Sequence, residues 1–471
     1  MKKIIKLSVI LLLIIAYTNV SGQTTTVPKN IIILISDGCG YNHISATNYY
    51  TEGKDSVQVY EKFPVNIGMS TYYDIPEFDE KTGEKLDGYN TQKAWSDSKY
   101  LKKYYTGSAA AATAMATGQK TYLKKVGVDR NNNNLENVLE KATKLGKSTG
   151  VVTSVPFCHA TPAGFATHNK HRGNYTQIGL SMILDTKLNV IMGCGNPYYN
   201  NKGKKVADKK ASFKYIDSKQ TWLDIINNKD TFVVASISGN NIVQDIDNDN
   251  KPDPWHFIET REDFQKLANT ENPPKRVLGI AQANSTLQQS RYFKLTKQKP
   301  EKNEFNQNVP TLVEMAESAI NVLEQDEDGF ILMIEGGAID WASHENNLAK
   351  LIEEEMDFNK TVEAVVKWVE ANGGWEENLV IVTADHECGY LTGPKFKKHT
   401  SPETYKVVNQ GKGKLPKHKF NHRNHTNQLV PFFAKGSGSE LFLNYANKTD
   451  KVRGKYIDNT DIMKVFLQIW N

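Results

Sequence analysis

A carboxylate and an imidazole stand four residues apart in Asp340-Trp-Ala-Ser-His344, a spacing that puts both on one face of a helix. The same two ligand types are adjacent in Asp385-His386. Small sets of nitrogen and oxygen donors suit zinc, and two such sets point to two zinc ions. Ser108 opens the small-residue run Ser108-Ala-Ala-Ala-Ala-Thr-Ala-Met-Ala-Thr-Gly118. A serine at a helix start is commonly an N-cap and nothing more. The sharper reading is a nucleophile, because a nearby zinc ion lowers the hydroxyl pKa and a helix N-terminus favours phosphate oxygens.

These groups need rigid carriers. Asn30-Ile-Ile-Ile-Leu-Ile-Ser36 runs into Asp37-Gly38, Phe330-Ile-Leu-Met-Ile334 into Glu335-Gly336-Gly337, and Leu379-Val-Ile-Val-Thr-Ala384 into Asp385-His386. Each continuous apolar run reads as a strand buried on both faces. Each delivers an acid at its carboxyl end, where open parallel sheets bind ligands. Helical periodicity fills the gaps at Leu135 to Leu145, Leu312 to Glu324 and Leu348 to Ala371. The alternation predicts an α/β fold, a doubly wound and mostly parallel central sheet flanked by helices. The acids lie toward both ends of the chain, so residues 23–471 read as a single catalytic domain with surface insertions at about 195–310 and 394–421.

Composition narrows the class. The 471 residues carry 58 Lys+Arg against 53 Asp+Glu, a net +5 that implies no nucleic-acid partner. With 39% hydrophobic and 24% charged residues the chain reads as an ordinary globule, not a disordered, collagenous or polytopic membrane protein. Residues 1–22 read as a secretory signal peptide: Lys2, Lys3 and Lys6, an apolar run from Leu7 to Tyr17, then Ser21-Gly22. That run is shorter than the ~20 residues a spanning helix needs. The expected location is therefore periplasmic or secreted, with no membrane association after cleavage. Cys39, Cys158, Cys194 and Cys388 are too scattered for a disulfide framework. Asp245-Ile-Asp-Asn-Asp-Asn-Lys-Pro-Asp253 spaces acids like a calcium loop, but lacks its glycine at position 6 and its acid at position 12. Ca2+ is one reading there and a hydrophilic turn the other.

Six ordered motifs, from Asn30-to-Gly40 through Thr106-to-Tyr122, His159-to-Arg172, Glu335-to-His344 and Thr383-to-His386 to His425-Thr426, resemble those of the alkaline phosphatase family. The resemblance implies hydrolysis of small-molecule phosphate monoesters through a phosphoserine on Ser108. It implies one Zn2+ on Asp340, His344 and His425, a second on Asp37, Asp385 and His386, and one Mg2+ on Asp37, Thr161 and Glu335. His425 is preferred to His418 and His422 because it precedes the apolar Leu429-to-Phe433 run as the family pattern does. Arg172, which on its own reads as a surface arginine, becomes a planar fork for two phosphate oxygens. His159 and Trp341 join the substrate site, standing where the best-known bacterial members have Asp and Lys. Losing that Lys implies weaker phosphate binding and faster product release. Gly107 stands where many members have an Asp that steadies the arginine. The family also implies a homodimer. A phosphodiesterase on the same scaffold and a non-catalytic metal-binding protein are the alternatives. A related sulfatase is not one, since none of the four cysteines begins a C-x-P-x-R or C-x-A-x-R signature.

Overall fold

The computed structural model describes residues 27–470 apart from 79–80, 82, 84–85, 235, 237–240, 293–298, 303 and 397–401. The leader expected over residues 1–22 lies outside them. Eleven strands form one sheet: β1 (Asn30–Ser36), β2 (Val65–Ser70), β3 (Ser148–Pro156), β4 (Val190–Cys194), β5 (His256–Ile258), β6 (Val277–Ile280), β7 (Phe330–Gly336), β8 (Asn378–Thr383), β9 (Val430–Gly436), β10 (Lys448–Asp450) and β11 (Gly454–Asp458). Their order is β10-β11-β2-β9-β8-β1-β7-β3-β4-β6-β5. From β8 to β5 all neighbours are parallel, and of the eleven strands β9 and β10 run against the rest.

The three strands expected to carry acids, β1, β7 and β8, are adjacent at the centre and buried along their whole length. Such two-sided burial is what their unbroken aliphatic runs require. Truncating any of the fully buried Ile31, Ile32 or Ile33 to alanine costs about 2–5 kcal/mol. In the register Ile35 faces both Glu335 and Thr383, so the carboxyl ends of the three strands are level and their acids emerge together.

Helices cover the sheet in two groups. α1 (Tyr41–Glu52) and α5 (Leu312–Leu323) each pack on α7 (Leu348–Ala371); α2 (Ser108–Thr117) packs on α4 (Ala160–Ala166), with α3 (Val138–Lys144) beside α4. Between α4 and α7 in sequence, α6 (Ala338–His344) is the short helix that follows β7. The alanine run of α2 has a physical cause. A methyl added at Gly164 in α4 would lie 2.6 Å from Ala112 Cβ, so the two helices meet at a distance that only small side chains allow.

The 195–310 segment, expected as a surface insertion, leaves β4 and returns to the same sheet as β5 and β6, with β6 paired directly to β4. Val277, Leu278 and Ile280 are fully buried there. Among the described residues no helix is long and apolar enough to cross a membrane.

Candidate active site

Asp37, Glu335 and Asp385 sit at the carboxyl edge of the central strands with no exposed surface. The turn after β1 brings a further backbone donor, Gly38 N–H, to Asp385 Oδ1 at 3.1 Å. Gly38 has φ +76°, and a Cβ there would lie 2.8 Å from Asp340 Cα. Only glycine lets this turn pass against α6. Asp37 Oδ1, Glu335 Oε1, Asp385 Oδ2 and Thr161 Oγ1 are buried with no hydrogen-bond partner. A buried polar atom left so costs about 1–3 kcal/mol, which a bound cation would repay. Burial pushes Asp385 up to about 6 and Glu335 up to about 7, the latter against a hydrogen bond from Thr153. Burial, then the charge of Asp385, raises Asp37 well above the carboxylate range.

Three groups of donors can be traced from these acids. In the first, α6 carries Asp340 and His344 one turn apart, as their spacing predicts, and a short ladder brings in His425. His344 Nδ1 donates to Arg423 O at 2.7 Å and His425 Nδ1 to Thr106 O at 2.8 Å, which leaves both Nε2 atoms facing inward. Those atoms lie 3.3 and 3.4 Å from the Asp340 carboxylate and 3.1 Å from each other. Two ring nitrogens this close need a cation or a proton between them. Burial opposes charge on His344, but Asp340 outweighs it and lifts the imidazole to about 9. His418 is bound instead to Pro416 O, and His422 packs edge-on to Tyr105. Cys388 joins the group: its sulfur and one donor atom each of Asp340, His344 and His425 lie within 4.8 Å of one another.

The second group is Asp37, Asp385 and His386. His386 Nε2 lies 3.1 Å from Asp385 Oδ2 and 3.6 Å from Asp37 Oδ1. Burial, then His425 stacked at 3.6 Å, holds this ring well below the usual imidazole range and therefore neutral. The third group gathers donors of Asp37, Glu335 and His159, with Thr161 fully buried on α4. Thr153, which sequence reasoning passed over, donates to Glu335 Oε2. The signal for it is strand register, since Thr153 of β3 pairs with Glu335 of β7.

Ser108 is the first residue of α2, while Gly107 is the N-cap and offers no side-chain bond. The serine hydroxyl is thus not a cap. Its Oγ lies 3.4 Å from His386 Nε2, 3.5 Å from Asp37 Oδ2 and 3.5 Å from Arg172 Nη1, at the positive end of the helix dipole. Arg172 is not a loose surface arginine. Its backbone N–H donates to Lys124 O at 2.7 Å and its Nη2 to His159 Nε2 at 3.0 Å. His159 stacks on Tyr175 and meets Trp341 edge-on at 5.8 Å, so the ring that accepts from Arg172 contacts two further aromatic side chains.

A nucleophile-bearing helix end, an arginine fork and clustered buried acids thus converge at one sheet edge, and residues 28–426, which include every one of these groups, match the alkaline phosphatase family. The chain belongs to that family. Alkaline phosphatase 4 of Bacillus subtilis (strain 168) is 28% identical over 375 residues, 77% of this chain and 62% of that protein, so the chain spans under two thirds of that relative's length. Alkaline phosphatase of Escherichia coli (strain K12) is 28% identical over 377 residues, 76% of this chain and 70% of that one. Among solved structures, alkaline phosphatase from the Antarctic bacterium TAB5 shares the fold with a TM-score of 0.59 at 24% identity, covering 94% of this chain and 99% of that chain. A cold-active alkaline phosphatase from a psychrophilic Shewanella sp. gives 0.62 at 22% identity, with 94% and 100% covered. A histidine-to-aspartate variant of the TAB5 enzyme, with Mg bound in its M3 site, gives 0.60 at 23% identity, with 94% and 98% covered.

The acidic loop Asp245 to Asp253 shares no donor with the three groups above. Asp245, Asp247 and Asp253 do gather, but Lys275 Nζ lies 2.7 Å from Asp247, and the N–H groups of Asn250 and Ile246 take Asp245 and Asp253. Lys275, from outside the loop, thus already supplies a positive charge to Asp247, while Asp245 Oδ1 is buried without a hydrogen-bond partner.

Proposed function

We propose that this protein is a zinc-dependent alkaline phosphatase, periplasmic or secreted, that hydrolyses phosphate monoesters to an alcohol and inorganic phosphate through a phosphoserine on Ser108. The observation that carries the reading is Ser108 Oγ, freed from capping and aimed at Asp37, His386 and Arg172 together. The unpartnered buried oxygens fit cations, and the donor chemistry sorts them. Asp340, His344 and His425 would hold one zinc ion, Asp37, Asp385 and His386 the second, and the oxygens of Asp37, Thr161 and Glu335 suit hard Mg2+. When bound, the zinc ions would supply Lewis acidity to the attacking and leaving oxygens and a water of lowered pKa.

The chain's own groups account for the rest. Arg172 offers two parallel N–H donors to non-bridging phosphate oxygens, and the free N–H groups at the start of α2 face the same charge. Ser108 Oγ then stands in line to form the new P–O bond as the ester P–O bond breaks, the hydroxyl losing its proton and the alkoxide gaining one from solvent. Water cleaves the phosphoserine, returning the proton to Ser108 and releasing phosphate. His159, itself packed against Tyr175 and Trp341, accepts from Arg172 and limits its wandering. The homodimer expected of the family belongs to the same proposal, with sedimentation of the purified protein as its check.

The test is phosphate release from an aryl monoester across about pH 6 to 11, beside Ser108→Ala and a chelated sample. Alkaline turnover that falls at least about 10³-fold in the variant, and is lost on chelation, is the expected result. Faster cleavage of an aryl diester than of the monoester, or turnover retained by Ser108→Ala, overturns it.

A further inference from the structure

Cys388 lies two residues beyond His386 and is fully buried. Its backbone is pinned from three directions. The N–H donates to Gly38 O at 2.9 Å, the residue pairs with His425 across a two-stranded antiparallel ladder, and His43 Nε2 stands 3.1 Å from its carbonyl oxygen. His43 Nδ1 accepts the Gly40 N–H at 3.2 Å, so Nε2 carries the ring proton and donates it to that carbonyl. Directly opposed residues in an antiparallel ladder send their side chains to the same face. The Cys388 sulfur is therefore carried to the side on which His425 meets Asp340.

There the four donor atoms of Cys388, Asp340, His344 and His425 lie within 4.8 Å of one another. Zinc binds sulfur at ~2.3 Å and nitrogen at ~2.0–2.1 Å, so donors on one ion stand at most about 4.4 Å apart. The four donor atoms gather within a span of that order. Asp340 Oδ1, on a side chain 7% exposed, has no hydrogen-bond partner and points into the same space.

We propose that Cys388 is a thiolate donor to the metal ion held by Asp340, His344 and His425, the thiol releasing its proton to solvent as the sulfur–metal bond forms. The proposal rests on the two-zinc reading and adds a ligand that the family resemblance did not supply. A sulfur donor makes this set softer than its oxygen-rich neighbour around Asp37, favouring zinc, cobalt or cadmium over magnesium. Zinc accepts a fifth ligand, which leaves a position for the ester oxygen.

The test uses the full chain loaded with Co2+ in place of zinc. The expected result is a near-ultraviolet sulfur-to-cobalt charge-transfer band in the wild type that vanishes in Cys388→Ser, while cobalt content stays the same. That variant should also surrender its metal to a competing chelator at least about tenfold more readily. Wild-type protein that binds cobalt without the band overturns the proposal and leaves the two-metal reading standing; failure to bind cobalt overturns both. A band that persists in Cys388→Ser also overturns it. Should the variant not fold, X-ray absorption of the zinc-loaded wild type decides: about half a sulfur per zinc at ~2.3 Å is expected, and none overturns the assignment.

Discussion

Arg172 Nη2 donates to His159 Nε2 at 3.0 Å, so a neutral imidazole, not a carboxylate, steadies the guanidinium beside Ser108. Burial, then the charge of Arg172 itself, drives His159 down to about 3, and the ring cannot compete for positive charge at any working pH.

Because a donor atom of His159 also lies within reach of those of Asp37 and Glu335, His159→Asp should change metal behaviour as well as the arginine's partner. A hard oxygen replaces a nitrogen beside two carboxylates. Magnesium retention should rise on the order of tenfold, and activity should become more dependent on added magnesium. Bound magnesium after dialysis is the measurement; a value equal to that of the wild type would count against this role.

Gly107 should accept a carboxylate. Its φ of −127° suits any residue, and an added Cβ meets nothing nearer than His425 Cε1 at 3.9 Å. Gly107→Asp should lower KM for an aryl phosphate and strengthen inhibition by inorganic phosphate, each about threefold to tenfold, as the arginine gains a charged partner. Steady-state kinetics at fixed metal concentration give the answer, and unchanged KM with unchanged phosphate inhibition contradicts it.

The proton on His344 competes with metal for the same nitrogen. In the metal-free protein that proton persists until about pH 9, because the contact with Asp340 outweighs burial. Metal affinity of the Asp340, His344 and His425 set should therefore climb by up to about tenfold per pH unit toward pH 9 and level above it. Chelator competition at several pH values reads this directly. A flat profile between about pH 7 and 9 would show that His344 is not a donor.

Glu354, buried on α7, provides a separate pH effect. Burial pushes it from 4.5 to about 8, and its Oε1 has no partner. The unfolded chain ionises it near 4.5 while the folded chain holds the proton, so this group takes stability away as pH rises from about 4.5 to about 8 and no more beyond. Glu354→Gln should match the wild type near pH 4 and exceed it at pH 9 by on the order of 5 kcal/mol. Thermal unfolding at the two pH values tests it, with a pH-independent difference as the contrary outcome.

Local patterns carried much of this far. The run Asn30–Ser36 and the helix Leu348–Ala371 have the bounds their periodicity predicts, and Asp340 and His344 share a helix face because a helical turn is a local property. Strand ends brought Asp37, Glu335 and Asp385 together for the same reason. Contacts fixed by pairing between distant segments left no such mark. Thr153 reaches Glu335 only through the register of β3 and β7, and Cys388 meets His425 only through a ladder closed across an intervening insertion. The return of residues 256–280 to the central sheet was hidden likewise, since β5 and β6 are short and β4, the partner of β6, lies well upstream. His159 showed its tie to Arg172 only once the turn between them was folded.

The donors run from Asp37, just after the first strand of the sheet, to His425, on a short strand that pairs with Glu387–Cys388. Synthesis at ~5–20 residues per second separates the emergence of those two residues by about 20 to 80 s. Through that interval the early carboxylates have no final partner, and a chain cut short before residue 425 lacks a donor of the first group. On the proposed two-metal reading, metal content measured chain by chain would accordingly report how many copies had been made past residue 425.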